Sequence, residues 1–537
     1  MPRSSAILRR FKTRSKSDRQ IREAYSVDSL NRCDFKAVLL GTPQGILMIC
    51  ISVSPASRTF AKVDMLNAAR QSDLIELCLD RLVKEPDVAD LIAGVDKPVL
   101  VSCRRKIEGG QFEGSDEQRL AILRQAIVAG PAYIELDYES AQTIPRFGNT
   151  KRVVAYTGLR KPFSATDIEE IFSEAKHLDA DVVKFTWPTP TLEAAWPLLA
   201  AVAKKNALPA VGFGLGRAGL TFSLLGRKYG SPWIYAALER GMEAFDEQAT
   251  VSELDDLYQW REIDPQTRFI GIVGMGGAED LTCQCFNRVF KRLDLNVRCL
   301  PLMSEKFDKL KSMLEALKVN AIVTSRDLGD DVIAIADELE ESAELSRYAD
   351  LLLNKKGRWQ AWNTGWRSAI RILEQTVSNG DEDRRPLDKQ NVLVIGSGSL
   401  AKSMIYGIGK RKGLVSVTSP DDNAAQELAN SFNVRFVPFQ NLYNTLSDVV
   451  VIADPNLRPG GGKVEFNPSY LIPRMTVCDV TRMPDDSEFI REARGRGSRI
   501  VEPALIYAHV LATRIKSITG KEVPASEFEP LIQARQT

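Results

Sequence analysis

Histidine is scarce in this sequence. Only His177 and His509 occur among its 537 residues. Histidine is the commonest side chain for proton transfer near neutral pH and the commonest metal ligand. A multi-histidine zinc site is therefore excluded, no metal cofactor is expected, and any histidine-dependent mechanism has two candidates at most.

The chain also has no Cys-x-x-Cys pair. Its eight cysteines are scattered, and only Cys283 and Cys285 lie close together in sequence. A zinc ribbon or a thioredoxin-type redox site needs the missing spacing. Reduced thiols in a reducing compartment fit this pattern, and we predict a cytoplasmic protein.

Long apolar runs and an excess of one charge are absent too. No run reaches the about 18 apolar residues that a membrane span needs. Lys and Arg number 71 against 70 Asp and Glu, so neither nucleic acid nor a membrane is expected as a partner. The composition, 44% hydrophobic and 26% charged, is typical of soluble globular proteins. We expect a small-molecule substrate and leave a homodimer open.

The first residues differ from the rest in charge. Residues 1–36 contain ten Lys or Arg and four Asp or Glu, with no apolar signal region. Three interpretations stay open: a disordered basic arm, a transit-like peptide, and translation that begins at Met48, where the first strand-like run starts. The predicted domain order therefore opens with a basic, disordered tail at 1–46.

The region 47–262 alternates between short β-branched runs and helical stretches. Helical stretches such as Asp116–Ala129 and Ala165–His177 separate the runs. Eight parallel strands with helical crossovers predict an α/β fold of the (β/α)8 barrel type, with its active site at the carboxyl ends of the strands. The eight strand candidates are 48–54, 73–80, 98–103, 132–137, 152–157, 181–186, 208–213 and 232–236.

Lys184 lies inside one of these runs, DVVKFTWP. A lysine that faces a barrel interior must be paired or neutral. Desolvation favours the neutral, nucleophilic amine, which forms a Schiff base with a ketone. A structural ion pair with Glu76 or Glu108 is the competing interpretation.

The second half predicts two α/β lobes, at 266–377 and 390–525, joined by a polar stretch. The segment NVLVIGSGSLAKSMIYGI has the strand, glycine turn and helix of a dinucleotide-binding fingerprint, G-x-G-x-x-A, at Gly396, Gly398 and Ala401. We therefore predict a Rossmann domain in which Gly396, Ser397, Gly398 and Ser399 contact the cofactor. NADP or NAD is the candidate, and either remains open.

Several segments of the first half carry a family resemblance. ELCLD, SCRRKIEGGQFEGSDEQRL, YIELD, VVKFTWP, GLGRAG, GRKYGSP and EQATVSEL occur in order between residues 76 and 254. Together they resemble type I 3-dehydroquinate dehydratase, in which a lysine forms an imine with the substrate ketone and a histidine moves the adjacent proton. The resemblance implies that Lys184 and Glu108 are catalytic. It implies that Glu76, Arg104 and Gln248 bind the substrate.

The barrel half departs from that family at three positions. Thr157 stands where the histidine is expected and cannot act as a base near neutral pH. Cys78 replaces the Arg of an E-x-R-x-D element, and Ser223 replaces the Arg expected to hold the substrate carboxylate. Loss of acid–base catalysis alone costs about 10²–10⁴-fold in rate. Substitutes considered for the lost groups are Arg217, Arg227, Tyr156 and His177, the last of which is expected at the bottom of the barrel.

The second half resembles shikimate dehydrogenase, so the two halves together resemble the bifunctional enzyme of aromatic amino acid biosynthesis. This resemblance implies that Asn354 and Asn363 bind the substrate. Four departures affect its chemistry: Asp280 in the substrate-binding S-x-S, Leu328 for the catalytic lysine, Gly365 for its aspartate partner, and Ser419 for the arginine that grips the NADP 2′-phosphate. Arg326 and Asp327 adjoin the lost lysine's position, and His509 lies near a substrate-contacting position.

We therefore expect a diverged member of this bifunctional family, with dehydratase-type chemistry at Lys184 ranked before dehydrogenase chemistry. A catalytically silent relative that serves as a ligand-binding regulator or scaffold is the alternative. A third interpretation is a changed substrate, less acidic or even cationic, because an arginine is lost and Asp280 is gained.

Overall fold

The computed structural model describes residues 48–536, apart from 83–86, 204–207, 246–247, 275–277, 305–306, 326–327, 379–384 and 461–464. The chain forms two compact units, one ending at Thr267 and the other starting at Arg268. The predicted basic tail at 1–46, and Arg326 and Asp327, lie outside the described residues.

The first unit is a parallel barrel, which confirms the predicted (β/α)8 fold. Its strands are β1 (Met48–Val53), β2 (Leu74–Cys78), β3 (Val99–Ser102), β4 (Tyr133–Asp137), β5 (Lys151–Thr157), β6 (Val182–Pro188), β7 (Ala210–Leu215) and β8 (Trp233–Ala236). They pair in the order β7-β6-β5-β4-β3-β2-β1-β8, so the ring is nearly closed.

Helices follow seven of the barrel strands: α1 (Arg58–Gln71), α2 (Val88–Ala93), α3 (Asp116–Val128), α4 (Tyr138–Thr143), α5 (Ala165–His177), α6 (Leu192–Ala203) and α7 (Ala218–Tyr229). Serine side chains begin several of them. The hydroxyl of Ser115 accepts from the backbone N–H of Gln118, and the Gln118 amide oxygen accepts from the N–H of Ser115. This reciprocal cap satisfies two N–H groups that a helix start leaves free, and so fixes where α3 begins.

Alternation along the strands fills the barrel interior in layers. An apolar cluster in the interior consists of Cys50, Leu74, Leu100, Val153, Val182, Val211, Trp233 and Tyr235. Side chains two residues further along a strand point the same way. The inward residues of the next layer, towards the carboxyl ends, therefore include Glu76, Glu135 and Lys184, so the core itself positions the charged groups.

The second unit contains two six-stranded sheets. The first sheet has β9 (Arg268–Val273), β10 (Val297–Leu302), β11 (Val319–Thr324), β12 (Glu338–Leu339), β13 (Leu351–Lys355) and β14 (Arg358–Trp362), ordered β10-β9-β11-β13-β14-β12. Strands β13 and β14 form an antiparallel hairpin that the sequence analysis did not predict. Lys356 and Gly357 turn it with φ of 55° and 86°, the left-handed backbone that a two-residue hairpin loop requires.

The second sheet has the Rossmann topology, as predicted. It consists of β15 (Asn391–Ile395), β16 (Leu414–Thr418), β17 (Arg435–Phe436), β18 (Val449–Ile452), β19 (Thr476–Asp479) and β20 (Arg499–Val501). All pair in parallel in the order β17-β16-β15-β18-β19-β20, the 3-2-1-4-5-6 order of dinucleotide-binding domains.

The helices of the second unit are α8 (Ala278–Arg292), α9 (Phe307–Leu317), α10 (Glu341–Ser346), α11 (Gly365–Ser378), α12 (Ser399–Lys410), α13 (Asp422–Phe432), α14 (Glu488–Gly495), α15 (Pro503–Thr519) and α16 (Glu529–Gln536). Within the described ranges, no helix is long and apolar enough to cross a membrane. Seven cysteines are described, and all are buried free thiols: Cys50, Cys78, Cys103, Cys283, Cys285, Cys299 and Cys478.

Candidate active sites of the two units

A buried ion-pair cluster lies at the carboxyl ends of the barrel strands. Lys184, in β6, is 1% exposed. Its Nζ is 2.9 Å from Glu135 Oε2 and 3.7 Å from Glu76 Oε1. The pairing predicted with Glu76 is therefore present, but Glu135 is the nearer partner.

Arg104 completes the cluster from the residues after β3. Its Nε donates to Glu135 Oε1 at 2.6 Å and its Nη2 to Glu135 Oε2 at 2.9 Å, while Nη2 also bonds Glu76. Two cations thus alternate with two carboxylates in one network. Buried charges are tolerated when they are paired and hydrogen-bonded in this way.

The cluster fixes the charge state of Glu135. Burial alone would raise the pKa of this carboxyl group, but Arg104 and Lys184 outweigh burial and hold its pKa below the ordinary glutamate value. Burial likewise works against the charge on Arg104, yet Glu135 and Glu76 hold the pKa of Arg104 well above its usual value. Glu135 is therefore a carboxylate throughout the physiological range.

Aromatic rings form the other wall around the lysine. The Lys184 Nζ is 4.5 Å from the ring centre of Tyr235 and 5.5 Å from that of Phe213. The two rings pack against each other with centres 4.5 Å apart. A cation over ring faces gains energy where water is excluded, so this wall holds the amine in place without solvating it.

Thr157 lies at the mouth of the barrel. It is the last residue of β5, half-buried, and pairs in register with Thr186 of β6. Ala155, two residues before it on the same face, pairs with Lys184. The position where the family resemblance expects a histidine therefore lies on the side of the barrel that holds the lysine, and a hydroxyl occupies it.

The considered substitutes for the lost groups are placed elsewhere. Tyr156 faces the helices, where its ring packs against Phe185 and Tyr138, and burial raises the pKa of its phenol. Arg227 donates to the Ile263 carbonyl and lies over the Trp260 ring. His177 is exposed at the far end of α5. Of these four residues, only Arg217 lies just past the carboxyl end of a barrel strand: it caps the start of α7, after β7, and its side chain is exposed.

The structure brings together only part of the predicted barrel site. Lys184, Glu76 and Arg104 meet. Glu108 instead bonds Arg105, 2.6 Å from its Nη2, in a neighbouring network. The amide oxygen of Gln248 accepts from the backbone N–H of Ala244 at 2.7 Å and so holds a loop. Of the departures, Cys78 is a buried thiol, and Ser223 donates to the Gly219 carbonyl of its own helix.

The sequence analysis missed Glu135 although its segment, YIELD, was among those that carried the resemblance. One pattern points to it: Glu76 and Glu135 each stand in the middle of an apolar strand, LIELC and YIELD. A carboxylate inside an apolar barrel strand requires a cation opposite it, and Lys184 is the buried cation.

The second unit has a cavity of about 410 Å³ between its two sheets. Asn363, predicted to bind substrate, lines it and donates to the hydroxyls of Ser346 and Ser403. Asn354 is not among the described lining residues, and its side chain accepts from the Gly357 N–H of the hairpin turn at 2.9 Å. The cavity is lined by Gly274, Thr324, Ser325, Tyr348, Asp350, Asn363, Gly365, Trp366, Ala369, Leu400, Ser403, Met404, Val480, Thr481, Arg482, Met483, Tyr507, Val510 and Arg514.

A carboxylate lies next to Gly365 although residue 365 has no side chain. Asp350 accepts hydrogen bonds from the backbone N–H groups of Thr364 and Gly365, both at 2.7 Å. A Cβ atom added at Gly365 would lie 3.0 Å from Asp350 Oδ2. Residue 365, where the family resemblance expects an aspartate, therefore lies next to the carboxylate of Asp350, which comes from a different segment of the chain. The side chain of Asp280 lies outside the described residues.

The glycine turn of the Rossmann sheet has the geometry of a pyrophosphate-binding loop. Gly396 has φ of 137°, and a Cβ atom there would lie 2.8 Å from the Ala453 backbone. A Cβ at Gly398 would meet open space, and Ala401 is fully buried against the sheet. The turn leads into the N-terminus of α12, which attracts anions, so Gly396–Ser399 fit a dinucleotide. His509 lies half-buried in α15, and the pKa of its imidazole is lowered by burial and by Arg371.

Sequence comparison relates the chain to known proteins. Residues 49–265 match the family model of type I 3-dehydroquinase. The chain is 24% identical over 477 residues to the chloroplastic bifunctional 3-dehydroquinate dehydratase/shikimate dehydrogenase of Arabidopsis thaliana, covering 84% of this chain and 78% of that one. It is 27% identical over 274 residues to a shikimate dehydrogenase (NADP(+)) of Desulforamulus reducens, covering 47% of this chain and 90% of that one.

Among solved structures, that of dehydroquinate dehydratase and shikimate dehydrogenase from S. pombe AroM aligns with 94% of this chain and all of that chain, with a TM-score of 0.41 and 16% identity. The barrel at residues 49–265 is therefore similar to type I 3-dehydroquinase, and most of the chain is similar to a bifunctional protein that joins a 3-dehydroquinate dehydratase to a shikimate dehydrogenase.

Proposed function

We propose that the barrel binds a cyclic ketone of the dehydroquinate type and forms an imine with it through Lys184. One observation carries the proposal: a fully buried lysine amine lies at the carboxyl ends of the strands, 2.9 Å from a carboxylate that would stabilise a cationic imine. The type I 3-dehydroquinase match of residues 49–265 supports the substrate class.

Imine formation requires the neutral amine. Lys184 gives one proton to water, because Glu135 stays ionised, and the neutral Nζ attacks the ketone carbon to give a carbinolamine. A proton from water then reaches the carbinolamine oxygen, which leaves as water, and the cationic imine nitrogen stays beside Glu135 and Glu76. Preorganised carboxylates stabilise a positive charge that develops in a water-excluded site.

The next step of a dehydration, removal of the proton at the adjacent carbon, has no base of suitable pKa at Thr157. We therefore propose that imine formation is retained and that elimination is slowed by about 10²–10⁴-fold, the usual contribution of general acid–base catalysis. The site combines a competent nucleophile with an incomplete proton relay.

Borohydride trapping tests the imine. The full chain is incubated with 3-dehydroquinate and borohydride, and the adduct is located by intact mass and peptide mapping. We expect one adduct on Lys184, absent in Lys184→Met and present in Lys151→Met, a control for a lysine that is exposed in β5. No adduct on Lys184 under forcing conditions contradicts the proposal.

A ligand-binding protein without turnover is the second candidate, favoured by Thr157 and by the complete mutual pairing of Lys184, Arg104, Glu76 and Glu135 in the described structure. Dehydratase or dehydrogenase turnover at ordinary enzyme rates would exclude it. A thermal-shift series separates binding from turnover, because a ligand at 100 times its Kd stabilises the folded state by about 2.7 kcal/mol.

For the second unit we propose binding of a nicotinamide dinucleotide at Gly396–Ser399, with NAD preferred over NADP. When bound, such a cofactor accepts or supplies a hydride. Ser397 and Ser419 are in hydrogen-bond contact at 3.3 Å on the loops after β15 and β16, and Ser419 stands where an arginine would hold a 2′-phosphate. Without that arginine a 2′-phosphate loses a charge-assisted contact.

We also propose that the protein functions in a reducing, cytoplasm-like compartment, which its seven buried free thiols support. The partner of either site is a small molecule, and a homodimer remains a prediction.

A further inference from the structure

The cavity of the second unit contains a buried arginine that the family resemblance does not assign. Arg514, in α15, is 5% exposed and lines the cavity. Its Nη2 lies 3.3 Å from Asp350 Oδ2 and its Nε donates to Thr364 Oγ1 at 3.4 Å. Both contacts are long for a charged pair, whose N–H···O distances are usually about 2.7–2.9 Å.

Asp350 is committed to its own segment. Besides the two backbone N–H groups of Thr364 and Gly365, its Oδ1 accepts from the Thr364 hydroxyl at 2.8 Å. This carboxylate thus ties down the start of α11 with three hydrogen bonds, which leaves about one acceptor position, on Oδ2, towards Arg514. Asp350 orients Arg514, and the contact between them leaves other N–H donors of the guanidinium unused.

A guanidinium has five N–H donors, and the two contacts above use two of them. Among the described residues, Arg514 has no further hydrogen-bond partner. A buried guanidinium with unused donors costs free energy unless a ligand or solvent meets them, and the free edge of Arg514 borders the cavity.

The rest of the cavity wall supports an oxygen-rich anionic ligand. Ser325 Oγ is buried and has no partner among the described residues. Arg482, exposed after β19, adds a second positive charge, whereas Asp350 is the one carboxylate among the described lining residues. Thr324, Tyr348 and Tyr507 line the same space; the Thr324 hydroxyl donates to the Ala349 carbonyl, and the Tyr507 hydroxyl is hydrogen-bonded to Thr282. Its volume suits a single-ring molecule, since ligand pockets range over about 300–1,000 Å³.

We propose that Arg514 is the carboxylate anchor of a ligand site in this cavity, and that the site takes a small, hydroxylated cyclic carboxylic acid. Asp350 acts as a positioning residue that orients the guanidinium fork. Asp280 in place of one serine of the S-x-S element therefore does not make the second unit indifferent to anions, because an arginine from α15 supplies the charge. The ligand class rests on the proposed substrate-binding role of this unit.

Isothermal titration tests the anchor in the full chain without cofactor, with shikimate and its methyl ester as probes. A charge-assisted hydrogen bond contributes about 1.5–3 kcal/mol, so we expect shikimate to bind about 10- to 150-fold more tightly than the ester. In Arg514→Met this preference disappears, while Arg514→Lys keeps the charge, loses the fork and retains part of the preference.

Lys516→Met is the matched control, because Lys516 lies two residues further along α15, is exposed and pairs with Glu522. Its preference for shikimate should equal that of the parent protein. Binding of shikimate at the barrel would persist in Arg514→Met as a separate site. If Arg514→Met lowers the thermal stability of the second unit too far, Arg514→Lys decides.

Equal binding of shikimate and its ester by the parent protein, or an unchanged preference in Arg514→Met or Arg514→Lys, overturns the proposal. Failure of hydride transfer does not, since the titration needs neither NAD nor turnover. Failure of the imine at Lys184 concerns the other unit and leaves this result unaffected.

Discussion

In the barrel, Lys184 and its charged neighbours form one buried network, and three positions depart from the family resemblance: Thr157, Cys78 and Ser223. In the second unit, the glycine turn is present, whereas side chains that the resemblance expects to act on the substrate are replaced at several positions. The difference follows from what each residue does for the fold. Removing Glu135 or Arg104 leaves an uncompensated buried charge, but a hydroxyl at Thr157, half-buried at the barrel mouth, leaves none.

The second unit shows the complementary case. Leu328 and Gly365 leave no charge unpaired there, and the carboxylate beside Gly365 comes from Asp350, which is needed to begin α11. A charge that supports the fold is thus kept or re-supplied, while a group that serves only chemistry can be exchanged. This comparison predicts that one substitution restores the acid–base part of the barrel's activity, whereas no single substitution does so in the second unit.

The substitution with the largest expected effect is Thr157→His. An imidazole at this position faces the barrel mouth next to the strand that carries Lys184, and should raise dehydratase turnover by about 10²–10⁴-fold. Turnover of 3-dehydroquinate is followed by absorbance of the enone product. Thr157→Asn, similar in polarity but unable to titrate, is the control, and an equal gain from both variants would refute the missing-base explanation.

Glu135→Gln tests whether the cluster supports the fold. Breaking a buried pair costs about 3–5 kcal/mol. The free energy of unfolding of the barrel, measured in urea, should therefore fall by that amount, while that of the second unit is unchanged. Glu113→Gln, which breaks an exposed pair with Lys106, is the control and should cost little.

The same variant predicts a pH effect. Because the folded-state pKa of Glu135 is lowered, its contribution to stability is complete above the ordinary glutamate pKa of about 4.3 and declines as pH falls below that value. Glu135→Gln should flatten this decline for the barrel. A decline of equal steepness in the variant would assign the acid sensitivity to other carboxyl groups.

Ser419→Arg should sharpen the cofactor preference of the second unit. A guanidinium in the loop after β16 gains a charge-assisted contact of about 1.5–3 kcal/mol, which corresponds to about 10- to 150-fold tighter NADP binding. Affinity for NAD should hardly change. Ser419→Gln adds length without charge and should leave the NADP affinity as it is; tighter NADP binding by both variants would point to packing instead.

The smallest effect concerns the two histidines. The lowered pKa of His509 means that its contribution to stability is present above about pH 6.5 and falls as pH drops below that value, because protonation is then forced on a half-buried ring. His509→Asn should reduce this slope for the second unit. His177→Asn, at an exposed position, should not, and equal slopes in all three proteins would contradict the assignment.

Local patterns predicted most of the fold. Apolar runs with β-branched residues placed the barrel strands near their observed positions, and the glycine spacing placed the Rossmann turn. The hairpin at 351–362 was not predicted, because LLLNKK and RWQAW show neither regular apolar–polar alternation nor the residues of a common hairpin turn. Its loop depends on positive φ at Lys356, which a lysine seldom adopts.

The sites were harder to predict than the fold. Lys184, Glu76 and Arg104 were predicted through the resemblance, and the structure brings them together. The approach of Asp350 to Arg514 could not be foreseen, since it depends on how α15 packs beside α11 and not on any spacing along the chain. The position of Glu108 in its motif likewise did not predict its partner, since Glu108 pairs with Arg105 and not with Arg104.

The seven buried thiols report separately on the opening of each unit, through the rate at which a thiol reagent labels them. Cys50, Cys78 and Cys103 lie in the barrel, and Cys283, Cys285, Cys299 and Cys478 in the second unit. A thiol reagent reaches a buried cysteine only when the surrounding structure opens. The labelling rate of each cysteine-containing peptide therefore measures how often that part of the chain opens. A ligand bound to one unit should lower the labelling rates of the cysteines in that unit alone.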